Sequence, residues 1–297
     1  MIKNHSNCLI CNSIKLIGLK WYKKNKLVRC GSCGFVFMQQ IPSPEELAAH
    51  YNTYSYDREQ YLSPITIKNY NILLDEFEKY RRYNRLLDVG CGMGFFLEQA
   101  KKRGWEVYGT EYSPKAIEIN RAKGINMIAG QLNSAAFPVK DFDVVTSFEV
   151  IEHINNPQDE IKHIHTLLRK NGLFYCTTPN FNSLLRYYLK EDYNVINYPE
   201  HLSYYTKKTL NHLLATNSFR KLKTLAHGIS ITRLETSKAQ KNTTKQPTTI
   251  IGEQTADEKI RVQMDKKPYL LYAKNIANFF LSETGLGMGL KGYYEKV

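Results

Sequence analysis

The sequence predicts an α/β fold with a doubly wound, Rossmann-like sheet, and three features of one region carry this prediction. Residues 86–94 read as a buried strand that stops at a glycine-rich turn and continues into a helix. The turn starts at Asp88 with the spacing D-x-G-x-G-x-G, which lets a ligand approach backbone where a Cβ atom would clash. A second strand at 105–110 ends in Glu111, an acid that suits the two hydroxyls of a ribose.

Four motifs in this order make the chain resemble the class I S-adenosylmethionine (SAM)-dependent methyltransferases. They are LLDVGCGMG from Leu86, YGTEYS from Tyr108, FDVVTSFEVIEH from Phe142 and NGLFYCTTPN from Asn171, and the resemblance spans about residues 80–230. The alternatives are a dinucleotide-binding turn and a tight turn without a ligand. They are disfavoured because the spacing differs from G-x-G-x-x-G, an aspartate precedes the first glycine, and the later motifs belong elsewhere.

The resemblance implies a seven-stranded methyltransferase sheet with SAM as the methyl donor, and hence an enzyme of class EC 2.1.1. The residues that it implies for the cofactor are Asp88, Gly90, Cys91, Gly92, Gly94, Glu111, Tyr112, Gln131, Leu132, Phe148 and Glu149. Gln131 departs from the family pattern, because many relatives place an acid at that position.

The chain is strongly basic, with 41 Lys and Arg against 28 Asp and Glu and a formal net charge of +13. This balance favours nucleic acid, anionic membrane surfaces or phosphorylated substrates, although a lysine-rich background composition explains it equally. The clearest basic cluster spans residues 15–29. The sequence has no apolar run that could span a bilayer and no secretory leader, so we expect no membrane insertion. Cysteines in C-x-x-C pairs, rather than a disulfide set, predict a cytoplasmic enzyme.

Two cysteine pairs near the amino terminus predict a structural zinc ribbon at residues 1–40. Cys8 and Cys11 form one C-x-x-C unit and Cys30 and Cys33 form another, with 18 residues between the two units. Two such knuckles supply a closed tetrahedral site of four thiolates for Zn²⁺, with a short hairpin between them. Redox dithiols are the weaker alternative, since two matched pairs are hard to explain that way. A ribbon before a SAM domain resembles sugar methyltransferases of antibiotic biosynthesis and, more distantly, some ribosomal-RNA methyltransferases.

Composition and periodicity divide the rest of the chain. We expect a helical, tyrosine-rich linker at 41–83, a SAM-binding domain at 84–235, a polar loop at 236–260 and C-terminal elements at 261–297 that pack on the domain. The tyrosine cluster at 51–61 forms either a lid over the cofactor or a half-buried connection. The expected elements are helices at 69–83, 113–123, 158–168 and 209–217, strands at 126–129, 142–148 and 173–178, and a final helix and strand. Residues 279–281 are expected in the core.

Acids and histidines follow the fourth and fifth strands. Glu149, Glu152 and His153 come after the fourth strand, and a helical turn there would place all three on one side. His201 follows the fifth strand, and neighbouring parallel strands open at the same sheet edge, so His201 can meet His153. Two histidines and two glutamates also suffice for a divalent cation such as Mg²⁺.

The E-x-x-E-H pattern is similar to one in small-RNA 2′-O-methyltransferases, where it binds a metal, and to one in ubiquinone-pathway O-methyltransferases. The match falls on Glu149, Glu152, His153 and His201. We assign His153, His201 and Glu152 to catalysis, either as an acid–base network or as metal ligands. The alternatives without a catalytic role are that Glu149 lines the methionine end of SAM, Glu152 pairs with a Lys or Arg, and His153 is satisfied by protein hydrogen bonds.

Three functions remain open at this level. The first is O-methylation of a sugar, glycan or other small-molecule hydroxyl, with histidine removing the proton. The second is RNA methylation, with residues 15–29 contacting phosphates. The third is a non-catalytic zinc-ribbon interaction protein, against which the intact glycine turn and Glu111 argue. The acceptor and the oligomeric state do not follow from the sequence.

Overall fold

The computed structural model of the protein describes residues 3–23, 26–43, 45–47, 62–241 and 268–297. The tyrosine cluster at 51–61 and residues 242–260 of the expected polar loop lie outside these ranges. In the described ranges, no helix combines the length and the apolar character needed to cross a bilayer.

The described strands, in chain order, are β1 (Lys3–Asn4), β2 (Leu16–Gly18), β3 (Leu27–Cys30), β4 (Val36–Met38), β5 (Gln40–Ile41), β6 (Arg85–Val89), β7 (Glu106–Glu111), β8 (Asn126–Ala129), β9 (Phe142–Phe148), β10 (Leu168–Pro179), β11 (Ser203–Tyr204), β12 (Phe219–His227) and β13 (Gly289–Lys296). The described α-helices are α1 (Pro64–Phe77), α2 (Phe95–Lys102), α3 (Pro114–Ala122), α4 (Pro157–Leu167), α5 (Leu184–Leu189), α6 (Lys207–Ala215), α7 (Ile231–Lys241) and α8 (Pro268–Thr284).

A seven-stranded mixed sheet forms the centre of the molecule, as the resemblance predicts. Its strand order is β12-β13-β10-β9-β6-β7-β8. Strands β6 to β10 pair in parallel, whereas β13 is antiparallel to both β10 and β12. Because β6 and β9 are adjacent and central, the loops that follow them open next to each other at the carboxyl edge of the sheet.

The central strands of the sheet are buried because helices cover both of its faces. In β9, six of the seven residues are buried. Leu87, Val145 and Phe174 face one hydrophobic cluster, while their chain neighbours, such as Leu86 and Val144, face the other. This alternation with period two fixes the register of the central strands, since a shift by one residue would exchange the two faces.

Several helices begin at capping residues that can be read from the sequence. Ser113 accepts a hydrogen bond from the amide of Ala116, and Pro114 occupies the first turn of α3 as expected. Ser63 and Pro64 start α1 in the same way, so this helix begins before the expected residue 69. Helix α7 continues to residue 241, which makes the start of the expected polar loop helical.

The amino-terminal ribbon shares its sheet and its core with the rest of the chain. Strands β2, β3 and β4 form an antiparallel sheet, and β11, which follows His201, adds a fourth strand beside β4. Phe35 and Phe37 are fully buried and belong to the same cluster as Leu87 of the central sheet. The ribbon is therefore integrated into the main fold at its β4 edge.

The final helix exposes side chains that were expected in the core. Phe279 and Phe280 are 62% and 61% exposed, while the neighbouring Leu281 is 9% exposed and does pack inward. The expectation for residues 279–281 is therefore wrong for the two phenylalanines, because an apolar stretch does not reveal which of its side chains finds a partner.

Candidate functional site

The glycine turn after β6 adopts a backbone that only glycine accommodates easily. Gly90, Gly92 and Gly94 all have positive φ angles, of 66°, 52° and 71°. A Cβ atom at Gly90 would lie 2.7 Å from Val150, and one at Gly94 would lie 1.9 Å from the Asn120 Oδ1 atom. A Cβ atom at Gly92 would have no atom within 4 Å, so the turn is open on that side and a ligand can approach its backbone.

The Glu111 carboxylate connects the loop after β7 to the glycine turn. Its Oε2 atom accepts a hydrogen bond from the Gly92 amide at 3.0 Å, and its Oε1 atom accepts from the amides of Tyr112 and Ser113. The structure thus brings together the two features from which the sequence predicts a ribose site. A carboxylate at this position can accept hydrogen bonds from two vicinal hydroxyls.

Asp88 lies beneath the turn at the end of β6 and is almost fully buried. The Thr146 hydroxyl donates to its Oδ1 atom at 2.7 Å. Burial raises the pKa of Asp88 to about 7, and the nearby charge of Glu111 acts in the same direction. Thr146, which the sequence analysis did not assign, therefore orients the aspartate of the motif.

The other residues expected around the cofactor line the same edge of the sheet. Tyr112 and Gln131 are exposed, and Leu132 is 3% exposed. The Cys91 Sγ atom lies 4.0 Å from the Met127 sulfur. The ring of Phe148 packs edge-on against Phe96, with centroids 4.9 Å apart.

Glu149 takes a left-handed backbone conformation directly after β9. Its φ angle is 52°, and its amide donates to the Thr177 carbonyl at the end of β10. The turn that follows is a 3₁₀ helix over Ile151–His153. Because Glu149 precedes this helix and does not belong to it, its side chain is not among the group formed by Glu152, His153 and His201. A strained backbone at a cleft is often associated with function.

Glu152, His153 and His201 converge on one point beside the carboxyl ends of β9 and β10. Their ligand-type atoms all lie within 4.8 Å of one another. The two imidazole rings are 4.8 Å apart between centroids and inclined at 74°. The distance between the histidines therefore agrees with the expectation from strand order.

Backbone carbonyls fix the tautomers of both histidines. The His153 Nδ1 atom lies 2.7 Å from the Glu200 carbonyl, and the His201 Nδ1 atom lies 2.7 Å from the Val195 carbonyl. A carbonyl only accepts, so each Nδ1 carries a proton, and the neutral form of each ring has its lone pair on Nε2. Such a lone pair can take up a proton or bind a metal ion.

Burial shifts the pKa values of two members of this group, His201 and Glu152. It lowers the pKa of His201 to about 4, and the neighbouring His153 adds to the effect. It also raises the pKa of Glu152 well above the usual range, with a further contribution from the charge of Glu149. The Thr178 hydroxyl donates to the Glu152 Oε2 atom at 2.9 Å. At neutral pH His201 is therefore uncharged, and it is a weaker base than an exposed histidine.

A small cavity adjoins the histidine group, and sequence reasoning missed part of its lining. Glu152, Asn180, Tyr193 and His201 are among the lining residues. The Tyr193 side chain is buried beside this cavity. No local motif marks Tyr193, because it reaches the site from the long segment that follows α5.

Four cysteines of the ribbon form a second cluster with metal-binding geometry. The Sγ atoms of Cys8 and Cys33 are 3.5 Å apart, as are those of Cys11 and Cys30. All four lie within 4.8 Å of one another, and none forms a disulfide. A tetrahedral Zn²⁺ with bonds of about 2.3 Å requires thiolates about 3.8 Å apart, so the spacing fits.

Backbone amides prepare one of these thiols for ionisation. The amides of Ser32 and Cys33 point at the Cys30 Sγ atom, at 3.4 and 3.5 Å. Although burial raises it, these amides and the neighbouring thiols lower the pKa of Cys30 to about 6. Only the thiolate form binds metal, so this arrangement fits the donor set of a closed structural site.

Comparison with known proteins agrees with this geometry. The family model described as "Methyltransferase domain" matches residues 56–224, more than half of the chain. A ubiquinone biosynthesis O-methyltransferase of Cereibacter sphaeroides is 34% identical over 104 residues, which cover 33% of this chain and 42% of that protein. One of Pelagibacter ubique is 32% identical over 128 residues, covering 41% and 52%. The chain thus spans about half the length of these curated relatives.

Solved structures show the same fold. A SAM-dependent methyltransferase from Archaeoglobus fulgidus has a TM-score of 0.51 and 18% identity, covering 86% of this chain and 100% of that one. A geranyl diphosphate C-methyltransferase from Streptomyces coelicolor has a TM-score of 0.55 and 14% identity, covering 86% and 99%.

Proposed function

Because the chain belongs to the methyltransferase-domain family and is a SAM-dependent methyltransferase, we propose that it transfers the methyl group to a hydroxyl oxygen of a small molecule, sugar or glycan. The observation that carries this proposal is the pair of imidazoles beside the carboxyl ends of β9 and β10, whose rings lie 4.8 Å apart and whose Nδ1 atoms each lie 2.7 Å from a backbone carbonyl. Similarity to ubiquinone biosynthesis O-methyltransferases supports oxygen as the accepting atom and a small molecule as its carrier.

The cofactor is proposed to bind across the glycine turn. Asp88, Gly90, Gly92 and Gly94 would surround the methionine and ribose, and Glu111 would accept from both ribose hydroxyls. The open side of Gly92 and the position of the Glu111 carboxylate support this placement. The remaining residues assigned to SAM are Cys91, Tyr112, Gln131, Leu132, Phe148 and Glu149.

The proposed reaction needs one proton acceptor beside the attacking oxygen. When bound, SAM would supply a methyl group already activated by its sulfonium, so that the C–O bond would form as the C–S bond breaks and S-adenosylhomocysteine would leave; the protein's task would be chiefly to position the acceptor. The hydroxyl proton passes to the Nε2 atom of His153 or His201. Burial makes His201 a weak base in the free protein. The positive charge of the sulfonium would also oppose a charged imidazole nearby, so we propose that the proton moves as that charge is lost.

Binding of a divalent cation is the second candidate role for the same three residues. Glu152, His153 and His201 present two nitrogens and one oxygen within 4.8 Å of one another. This donor set suits a transition metal better than Mg²⁺, which prefers oxygen ligands. Such an ion would bind the acceptor hydroxyl and lower its pKa. The four thiolates of Cys8, Cys11, Cys30 and Cys33 are proposed to hold a structural Zn²⁺.

Transfer of labelled methyl groups tests the proposal. The purified protein would be incubated with methyl-labelled SAM and separate extracts of small molecules, glycans and RNA from the source cells. We expect label in the small-molecule or glycan fraction, and loss of that label in a His153→Ala variant that still binds SAM. Label recovered in RNA, with binding that weakens steeply as salt rises, would replace this proposal by RNA methylation.

A further inference from the structure

The residues directly after His201 are shared between the ribbon and the methyltransferase domain. We call residues 201–205 the His201 segment. On the ribbon side, the Met38 amide donates to the Leu202 carbonyl at 2.9 Å, and β11 pairs with β4. The ring of Phe35 lies 5.1 Å from that of Tyr205. The ribbon therefore binds this segment through its backbone and through aromatic packing.

The domain holds the opposite side of the same segment. The Leu202 amide donates to the Glu152 carbonyl at 2.8 Å, and the Ser203 hydroxyl donates to the Ile154 carbonyl at 2.9 Å. Leu202 thus connects β4, through its carbonyl, to the residue that carries the Glu152 carboxylate, through its amide. A shift of β4 would therefore move both His201 and Glu152.

A hydrophobic cluster fills the space between the ribbon and the loop that leads to His201. Its buried members from the ribbon are Tyr22, Leu27, Val36 and Met38, and those from the loop are Leu189, Tyr193, Val195, Ile196, Leu202 and Tyr204. Val195 also supplies the carbonyl that fixes the His201 tautomer. The ribbon therefore supports the orientation of His201 as well as its position.

The cysteine cluster is joined directly to β4. The Cys30 amide donates to the Phe35 carbonyl at 2.8 Å, and Cys33 lies two residues before Phe35. The ribbon strands contain only two to four residues, too few to be stable alone. Small units of this kind commonly gain their folding free energy from a bound metal.

We propose that metal binding by the four cysteines positions the acceptor site, with Phe35 and Phe37 as positioning residues that act through the His201 segment. The role of His201 in this inference rests on the proposed function. The coupling between the ribbon and the His201 segment does not depend on that function. Metal in the ribbon holds β4, β4 holds β11, and β11 sets His201 against Glu152 and His153. We expect the SAM site, which follows β6 and β7, to depend less on the ribbon than the His201 segment does, because that segment pairs directly with β4.

Hydrogen exchange of the full chain tests the coupling without an acceptor. Zinc content is measured first, and zinc-loaded protein is compared with chelator-treated protein. Removal of the metal should speed amide exchange in residues 202–205 by about tenfold or more, while exchange in residues 142–148 of β9 stays unchanged. The dissociation constant for SAM should stay within about twofold.

A matched pair of variants separates positioning from loss of stability. Phe37 and Phe219 are both buried phenylalanines, but only Phe37 lies on β4. In zinc-loaded protein, Phe37→Ala should deprotect residues 202–205, and Phe219→Ala should leave them protected. Reversal of the chelator effect by added Zn²⁺ provides a second check that does not depend on either variant.

The outcomes are distinct. Protein that binds no metal, or chelated protein with unchanged protection at 202–205, overturns the proposal. Loss of protection in β9 as well would show that the metal supports the whole fold, and would also overturn it. If exchange behaves as expected but His201→Ala retains full turnover, the proposed function fails while the coupling between ribbon and segment stands.

Discussion

Replacement of Glu111 by alanine is the sharpest test of the cofactor site. The carboxylate lies at the glycine turn, 3.0 Å from the Gly92 amide, and would accept two charge-assisted hydrogen bonds from the ribose. Such bonds contribute about 1.5 to 3 kcal/mol each, and the site is partly solvated, so we expect a total loss of about 2 to 4 kcal/mol. This corresponds to a dissociation constant for SAM that rises roughly 30- to 1,000-fold.

The same substitution removes hydrogen bonds that the carboxylate makes within the protein. The amides of Gly92, Tyr112 and Ser113 lose their acceptor, which should lower the free energy of unfolding by about 1 to 2 kcal/mol. Glu106→Ala is the matched control, because Glu106 lies on the same strand at the opposite edge of the sheet. Calorimetry with SAM measures both variants. A folded Glu111→Ala protein that binds SAM within threefold of the wild type would refute the placement.

Three further predictions concern the site. His153→Ala and His201→Ala should each lower kcat by about 100-fold or more with SAM affinity unchanged, whereas His212→Ala should not; equal loss in all three would contradict a specific role. Gly94→Ala should lower the free energy of unfolding by about 2 to 4 kcal/mol in denaturant titrations, because its Cβ atom would meet buried Asn120. Gly92→Ala is the control, because its Cβ atom meets nothing and only the cost of a positive φ angle, about 1 kcal/mol, remains. His201 has a folded pKa of about 4, below its unfolded value, so it stabilises the protein above pH 6.5 and loses this contribution as pH falls towards 4. The unfolding free energy of wild type should therefore fall by about 3 kcal/mol more than that of His201→Ala between these pH values, and parallel curves would contradict the assignment.

The parts of the fold that follow from local sequence are those with strong periodicity or capping. The third and fourth strands of the sheet, 126–129 and 142–148, have the expected bounds. The four-cysteine cluster can be predicted from the spacing of the cysteines alone, because two knuckles joined by a hairpin can meet in few ways. The number of strands, seven, could be predicted only from the resemblance. Strand β12 has a mainly polar, exposed pattern and gives no local signal of its own.

The remaining features depend on contacts that are distant in sequence. Strand β11 has two residues and forms only because β4 offers a free edge. The tautomers of His153 and His201 depend on carbonyls of Glu200 and Val195, whose direction is set by the tertiary path of the loop. The left-handed conformation of Glu149 likewise removes it from the histidine group, which a simple helical turn would have included.

The protonation of Glu152 decides between a histidine base and a metal site. Burial and the charge of Glu149 both raise the pKa of Glu152, which favours a protonated carboxyl beside neutral His201 in the free protein. A metal ion binds the carboxylate and must displace that proton, so its apparent affinity should rise up to about tenfold for each unit of pH. Calorimetric titration with Mn²⁺ in two buffers of different ionisation enthalpy measures the proton released. Binding without proton release would contradict the protonated carboxyl, whereas no binding, together with turnover that is insensitive to chelator in zinc-loaded protein, would leave proton transfer to histidine as the mechanism.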